Sequence, residues 1–254
     1  MKKNFRKKIN IFFLWNELPT YGLAILDYIN TQIKKKKFNI NLQILRTGTS
    51  LPIYRNKNLL FKDIKLIDKN QLYNWNDLKL EYPDLLFVSG WSIKAFNYLR
   101  DITKKKNKNI KIVLLSDNSF KNNSLRQFLG IIFFKLFIKK KYDYSWVPGY
   151  SAKKLMLKLG FNFDKIFDGL YCAQTNIFKN LIKTKDRKKQ FLFVGRLNRI
   201  KNVKKLIEAF NLLNLTKKNS RLIIVGNGDK NLKRLNINKS IKFISHLSPL
   251  KLRK

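Results

Sequence analysis

The chain has 254 residues, 44% apolar and 13% aromatic, which is enough to bury one large core or two modest ones and too rich in Phe for a disordered polymer. Lys and Arg number 55 against 15 Asp and Glu, a formal charge of +40. The single cysteine, Cys172, excludes an intramolecular disulfide and suits a reducing cytosol; with His246 the only histidine, a metal site built on Cys and His is argued against.

The charge fits two classes of partner, nucleic acid or an anionic membrane surface. The Lys residues are scattered along the whole chain, and Lys, Asn, Ile and Phe are over-used together, as an A/T-rich coding sequence produces. No RRM, KH, zinc-finger or helix-turn-helix pattern accompanies them, which argues against nucleic acid.

The start, Met1 to Lys8, is basic like a signal-peptide n-region. The apolar run Ile9 to Leu14 is too short for an h-region and soon meets Asn16, Glu17 and Pro19, so residues 9–15 read as a first strand. Helical spacing follows over 20–34, through Leu23, Leu26, Ile29 and Ile33. Residues 39–45 alternate, with Ile40, Leu42 and Ile44 on one face. Residues 50–82 are polar and irregular apart from a short strand at 63–67. The run 84–88 is a buried strand ending in Ser89-Gly90, 92–104 is helical, and 111–115 is a second buried strand ending in Ser116-Asp117-Asn118.

The longest apolar run, within 124–140, falls short of the roughly 20 residues of a membrane span. It is expected to be a buried helix, with a basic interfacial helix, Lys135 and Lys139 to Lys141 on anionic headgroups, as the alternative. A strand at 144–147, a helix at 151–159 capped by Ser151 and stopped by Gly160, and a short strand at 165–167 complete this half. The alternation of strands and helices, with strands apolar on both faces, predicts a parallel sheet covered on two sides.

From Gly169 to Lys189 periodicity is lost and the chain turns polar and basic, as a connection between domains does. The expected organisation is therefore a first Rossmann-like domain over 1–170, a linker over 171–189 and a second α/β domain from 190 to 254. In the second, 191–194 is a strand. Asn202 is expected to cap a helix whose buried face is Val203, Leu206, Ile207, Phe210 and Leu213. Strands follow at 222–225 and 241–244, around a short helix ending at Leu235.

The junctions in this second half have the chemistry of an anion site. Gly195 at a strand end frees the backbone for a turn and for close approach of a ligand. The helix that follows offers unpaired N–H groups and a favourable dipole. Arg196 supplies a planar fork for phosphate oxygens, and Lys201 a mobile point charge. A second turn, Gly226-Asn227-Gly228-Asp229, lies at the sheet edge where α/β folds bind ligands.

Phe-Val-Gly-Arg-Leu at 193–197, Lys-Asn-Val at 201–203, Leu-Ile-Glu-Ala-Phe at 206–210, Leu-Ile-Ile-Val-Gly-Asn-Gly-Asp at 222–229 and Ile-Lys-Phe-Ile at 241–244 stand in an order and spacing that resembles the C-terminal domain of GT-B glycosyltransferases of the family 4 type. The resemblance implies a GT-B-like fold of two Rossmann-like doubly wound domains. It implies that Arg196 and Lys201 hold the diphosphate of a sugar nucleotide, with Gly226 and Gly228 beside the nucleotide. More loosely, it places Tyr21 and Gly22 in a loop near the transferred sugar and Asp117 where many members carry a catalytic His. The implied activity is transfer of a sugar, with retention of configuration, from a nucleotide diphosphate sugar in the interdomain cleft to a saccharide or lipid-linked acceptor. No cofactor or metal is expected.

In the family a segment with two glutamates seven residues apart grips the donor, and a final helix crosses back to the first domain. Neither lies before Lys254, so the second domain is expected to be incomplete, and the chain alone to be a truncated product or split partner if not active. The remaining alternative is a basic membrane- or nucleic-acid-binding protein. The expected location is cytoplasmic, with peripheral contact at the inner face of the membrane.

Overall fold

A computed structural model describes residues 8–16, 18, 20–46, 64–66, 73–121, 124–172, 178, 190–216, 220–235, 240–248 and 251–252. The chain divides into two units, Met1–Ala173 and Gln174–Lys254. Most of the linker expected at 171–189 lies outside the described residues.

The first unit is a parallel sheet built from β1 (Ile9–Trp15), β2 (Ile40–Arg46), β3 (Ile64–Leu66), β4 (Leu85–Ser89), β5 (Lys111–Leu115), β6 (Tyr144–Trp146) and β7 (Ile166–Phe167). Their order is β3-β2-β1-β4-β5-β6-β7, and every described pairing is parallel. The order reverses between β1 and β4. This is the topological switch of a doubly wound sheet, where the loops after the two strands part and leave a crevice.

Alternation along the strands sends side chains to two cores. Phe12, Leu14, Leu86, Val88, Ile112 and Leu114 face one, closed by α2 (Lys94–Lys106) and α4 (Tyr150–Lys158) through Phe96, Leu99, Leu155 and Met156. Phe13, Trp15, Leu42 and Ile44 face the other, closed by α1 (Thr20–Lys35) through Leu23, Leu26 and Ile33. Each such side chain contributes about 1.5–3 kcal/mol on burial. Within the stretch read as irregular, a 3-10 turn at Trp75–Leu78 delivers Trp75 into the first core, stacked on Phe12 and Tyr82 with ring centroids 5.8 and 5.1 Å away.

Two local expectations are corrected. Ser151 is not a cap: α4 begins one residue earlier, at Tyr150, with Gly149 in the capping position. Its far end does close on Gly160, at φ +91°, where Gly160 N–H donates to Leu157 and Phe161 N–H to Met156, the paired bonds of a Schellman stop.

The larger correction concerns 124–140. Ser124 caps α3 (Leu125–Phe133), accepting the Gln127 N–H at 3.2 Å, but none of the α3 residues is buried. The helix passes into a π turn at Phe134–Ile138 and a 3-10 turn at Lys139–Lys141. Phe134 alone of these three segments is buried, against Trp91, Tyr142 and Phe161. Ile131 and Ile138, three residues before and four after, pack at its margin, so the inward face is a narrow one at helical spacing. The pattern of apolar residues gives an amphipathic period but not which side the fold covers.

The second unit has β8 (Gln190–Val194), β9 (Arg221–Val225) and β10 (Ile241–Ile244) in the order β10-β9-β8, again parallel, with α5 (Val203–Thr216) on one face. Val203, Ile207 and Phe210 of α5 pack on Leu222, Ile224 and Ile241, the face the spacing predicts. The fold class is as expected: mixed α/β, parallel and Rossmann-like.

Candidate functional site

Because the strands of the second unit are parallel, their C-terminal ends meet at one edge, and three loops leave it side by side. The backbone laces them together. Gly195 N–H donates to the Val225 carbonyl at 3.0 Å, and Gly226 N–H to the Ile244 carbonyl at 2.9 Å. Leu197 N–H donates to Asn227 at 2.9 Å, and the Leu197 carbonyl accepts the Asp229 N–H at 2.8 Å. The Asn227 side chain accepts the His246 N–H at 3.1 Å, tying in the loop after β10.

This lacing explains the glycines. Gly226 and Gly228 have φ of +154° and +151°, and a Cβ on either would collide with a backbone carbonyl, that of Gly195 or of Leu197. Their lack of a side chain lets the second loop press against the first. Gly195 is different, since its φ is not in the positive region and a Cβ there would meet only the ring of Phe193, at 3.3 Å. The turn off β8 thus does not require glycine by conformation.

Arg196 and Lys201 project from the first loop, and both are exposed. Neither has an acidic partner among the described residues. Between them a 3-10 turn, Arg199–Lys201, is capped by Asn198, whose Oδ1 accepts the Lys201 N–H at 3.1 Å. Asn202, expected as the cap of α5, stands directly before that helix, where its carbonyl accepts the Leu206 N–H at 3.4 Å, and its left-handed φ of +53° also closes the 3-10 turn. Asn198, four residues earlier, caps the 3-10 turn rather than α5. Lys201 is thereby fixed at the entry to α5, beside that helix's unpaired N–H groups. Two cations without an ion pair among the described residues and a helix N-terminus at one sheet edge carry the chemistry that attracts a polyanion.

The first unit has a corresponding edge. Gly22 is buried in the first turn of α1, directly after β1; the side chain of Tyr21 lies outside the described residues. At the end of β4, Ser89 Oγ accepts the Asn16 N–H at 3.2 Å, joining the loops after β1 and β4. Asp117, after β5, is exposed, and its Oδ2 accepts the Tyr171 hydroxyl at 3.5 Å. Gly22 and Asp117 share this edge with β4 between them, and no hydrogen bond among the described residues joins them. Ser89 and Tyr171 are edge residues that motif reading passed over; their signal is only their position after a strand and before the linker.

An apolar hollow of about 570 Å³ lies apart from this edge, on the α1 side of the sheet, lined by Ile11, Phe13, Leu42, Phe87, Val113 and Trp146. Lys111 and Asp168 are the only charged residues of its lining, which is otherwise mostly apolar. No group of three or more His, Cys, Asp or Glu able to hold a metal occurs among the described residues.

Residues 174–254 match a family model described as glycosyl transferases group 1. No protein of curated function matches the sequence. Among solved structures the fold is similar to a glycosyltransferase from Rickettsia africae, at 16% identity and TM-score 0.64, over 96% of this chain and 70% of that one. It is also similar to the lipopolysaccharide outer core galactosyltransferase WaaB, at 17% identity and TM-score 0.59, over 94% and 69% of the two chains. A UDP-GlcNAc 2-epimerase from Neisseria meningitidis, bound to UDP-GlcNAc, aligns at 10% identity and TM-score 0.57, over 96% and 74%. At these identities the likeness establishes the fold, which is that of GT-B glycosyltransferases and epimerases.

Proposed function

We propose that the chain is a glycosyltransferase that takes its sugar from a nucleotide diphosphate sugar. The observation that carries this reading is the laced edge of the second unit. There Arg196 and Lys201 stand unpaired beside the start of α5, inside the segment that matches the glycosyl transferases group 1 model.

As the bond from the sugar to the diphosphate breaks, its electron pair leaves with the terminal phosphate. Arg196 and Lys201, preorganised by the capped 3-10 turn, stabilise that growing charge more in the transition state than in the ground state. These cations supply the stabilisation that a metal gives elsewhere, so no metal or cofactor is part of the reading. Gly226 and Gly228 let the second loop press against the loop that opens at Gly195 and carries Arg196 and Lys201. On the first unit, Gly22 and Tyr21 border the transferred sugar. Asp117, oriented by Tyr171, is the group to take the acceptor hydroxyl's proton. Retention of configuration and membership of the family 4 type extend the resemblance further.

The acceptor is a saccharide or a lipid-linked glycan, the chain is cytoplasmic, and peripheral contact with an anionic membrane would present a lipid-linked acceptor. The neighbours include an epimerase that binds UDP-GlcNAc, which supports a uridine diphosphate sugar as the first donor to try.

Calorimetric titration with UDP and GDP tests the reading. Binding is expected, weakened about tenfold or more by Arg196→Ala and again by Lys201→Ala, since a charge-assisted hydrogen bond is worth about 1.5–3 kcal/mol. No heat with either nucleotide, and no thermal shift, would sink the donor site. Salt-sensitive binding of DNA or RNA that survives both substitutions would favour a basic binding protein instead.

A further inference from the structure

We infer that the outward face of α3 and the π turn after it is a docking surface for an anionic lipid bilayer, on which it lies in the plane of the headgroups. Leu125, Phe128, Leu129, Ile132 and Phe133 recur at helical spacing along α3, and Leu136 and Phe137 continue them through the π turn. All seven are exposed, Leu125 at 74% and Phe128 and Leu129 at 58% each. A stripe at this spacing normally faces a core. Here the core side is served by Phe134, with Ile131 and Ile138 packed at its margin, and the richer face is left to solvent. A contiguous exposed apolar patch of this kind marks an interaction surface.

Charge decides what covers it. From Asn118 to Tyr142 the chain has no acidic residue, and Lys121, Arg126, Lys135 and Lys140 lie on or beside the stripe, exposed. Lys141 pairs with Asp101 at 3.1 Å, and Lys139 sits over the Phe161 ring at 4.5 Å. The other four have no ion pair among the described residues, so they are free for an external anion. Exposed Leu and Phe flanked by cations are the composition of an interfacial helix. A second copy would set these cations, on a chain of charge +40, against themselves. At nine residues α3 spans about 14 Å, less than half a bilayer core, and no described helix is long and apolar enough to cross a membrane. It lies on the surface rather than through it.

The consequence concerns the acceptor. The segment from Ser116 to Ser124 runs from the end of β5 to the cap of α3, so the lipid-facing helix and Asp117 stem from the same strand end. A docked α3 holds that edge near the headgroups, which fits an acceptor whose lipid stays in the bilayer. This inference deepens the membrane contact just proposed and rests on it, but not on sugar transfer.

Co-sedimentation of the full chain tests it, using vesicles of phosphatidylcholine alone or mixed with phosphatidylglycerol. Binding is expected to the mixed vesicles only and to fall as salt rises. The triple substitution Phe128→Gln, Leu129→Gln, Leu136→Gln should weaken it about tenfold or more, and Arg126→Gln with Lys140→Gln by about tenfold. These side chains are exposed, and unchanged circular dichroism would show that the variants fold. The inference is overturned if the triple variant binds as well as the parent, which would make the contact charge alone. It is overturned equally if neither vesicle binds, or if the triple variant's sole effect is to abolish self-association or capture of a protein partner. UDP binding measured on the same samples reports the donor site separately, so either claim can fail without the other.

Discussion

The carbonyl of Leu197 occupies the space that a side chain on Gly228 would need, and the two residues form a parallel bridge beyond the ends of β8 and β9. Gly228→Ala must therefore either push the second loop off the first or hold an L-residue at φ +151°. The expected cost is about 3 kcal/mol. All four Trp, at 15, 75, 91 and 146, lie in the first unit. Their fluorescence midpoint should hold while amide exchange in β8, β9 and β10 accelerates. Gly195→Ala, which meets only a ring edge, should cost far less, and equal effects at the two positions would contradict the packing described.

Phe128 and Phe134 lie six residues apart in one apolar run and have opposite surroundings, 58% exposed and fully buried. Phe134→Ala should destabilise the first unit by about 3–5 kcal/mol, because it empties a site ringed by Trp91, Tyr142 and Phe161. Phe128→Ala should change stability by no more than about 0.5 kcal/mol. Urea titration followed by Trp fluorescence separates them. Similar losses would mean that α3 is covered in the isolated chain after all.

Arg100 is 1% exposed and makes the one described link from α2 to Tyr142: its Nη1 donates to the Tyr142 hydroxyl at 3.0 Å and to Asn97 at 2.8 Å. Burial raises the Tyr142 hydroxyl above its ordinary value of 10.0, only partly opposed by the nearby guanidinium. A group whose folded value is raised contributes stability that is full below the unfolded value and lost as pH climbs through the folded one. The first unit should thus keep its midpoint up to about pH 9 and weaken above about pH 10. In Tyr142→Phe that alkaline fall should shrink, at a cost near neutrality of about 1 kcal/mol for the lost hydrogen bond. A profile identical in the two proteins would remove Tyr142 from the account.

What could be read in advance divides along physical lines. Strands apolar on both faces, such as Phe12-Phe13-Leu14-Trp15, have few solutions other than a parallel sheet covered on two sides, and the sheet is there. The buried face of α5 also followed from spacing, because one helix packs on one sheet. The outward turn of α3 did not, since periodicity marks a stripe but tertiary packing decides what it meets. The lacing of Gly226 and Gly228 onto Gly195 and Leu197 was hidden for a related reason: a glycine in sequence does not say whether a ligand or another backbone needs the room. Tyr171 beside Asp117 is a contact across 54 residues, beyond any local pattern.

Asn198 and Asn202, at the two ends of the 3-10 turn before α5, give a final test. Asn198 accepts the Lys201 N–H through its side chain, so Asn198→Ala should cost about 1 kcal/mol in the second unit and loosen the turn that aims Lys201. Asn202 sits at φ +53°, a conformation glycine takes freely and alanine resists. Asn202→Gly should therefore leave β8 to β10 exchange rates and UDP affinity close to those of the parent, whereas Asn202→Ala should cost about 1 kcal/mol. Were the Asn202 side chain an acceptor for the first turn of α5, the order would change: Gly and Ala would both lose it. Amide exchange on the three variants, read at Lys201 and along the first turn of α5, distinguishes the two arrangements.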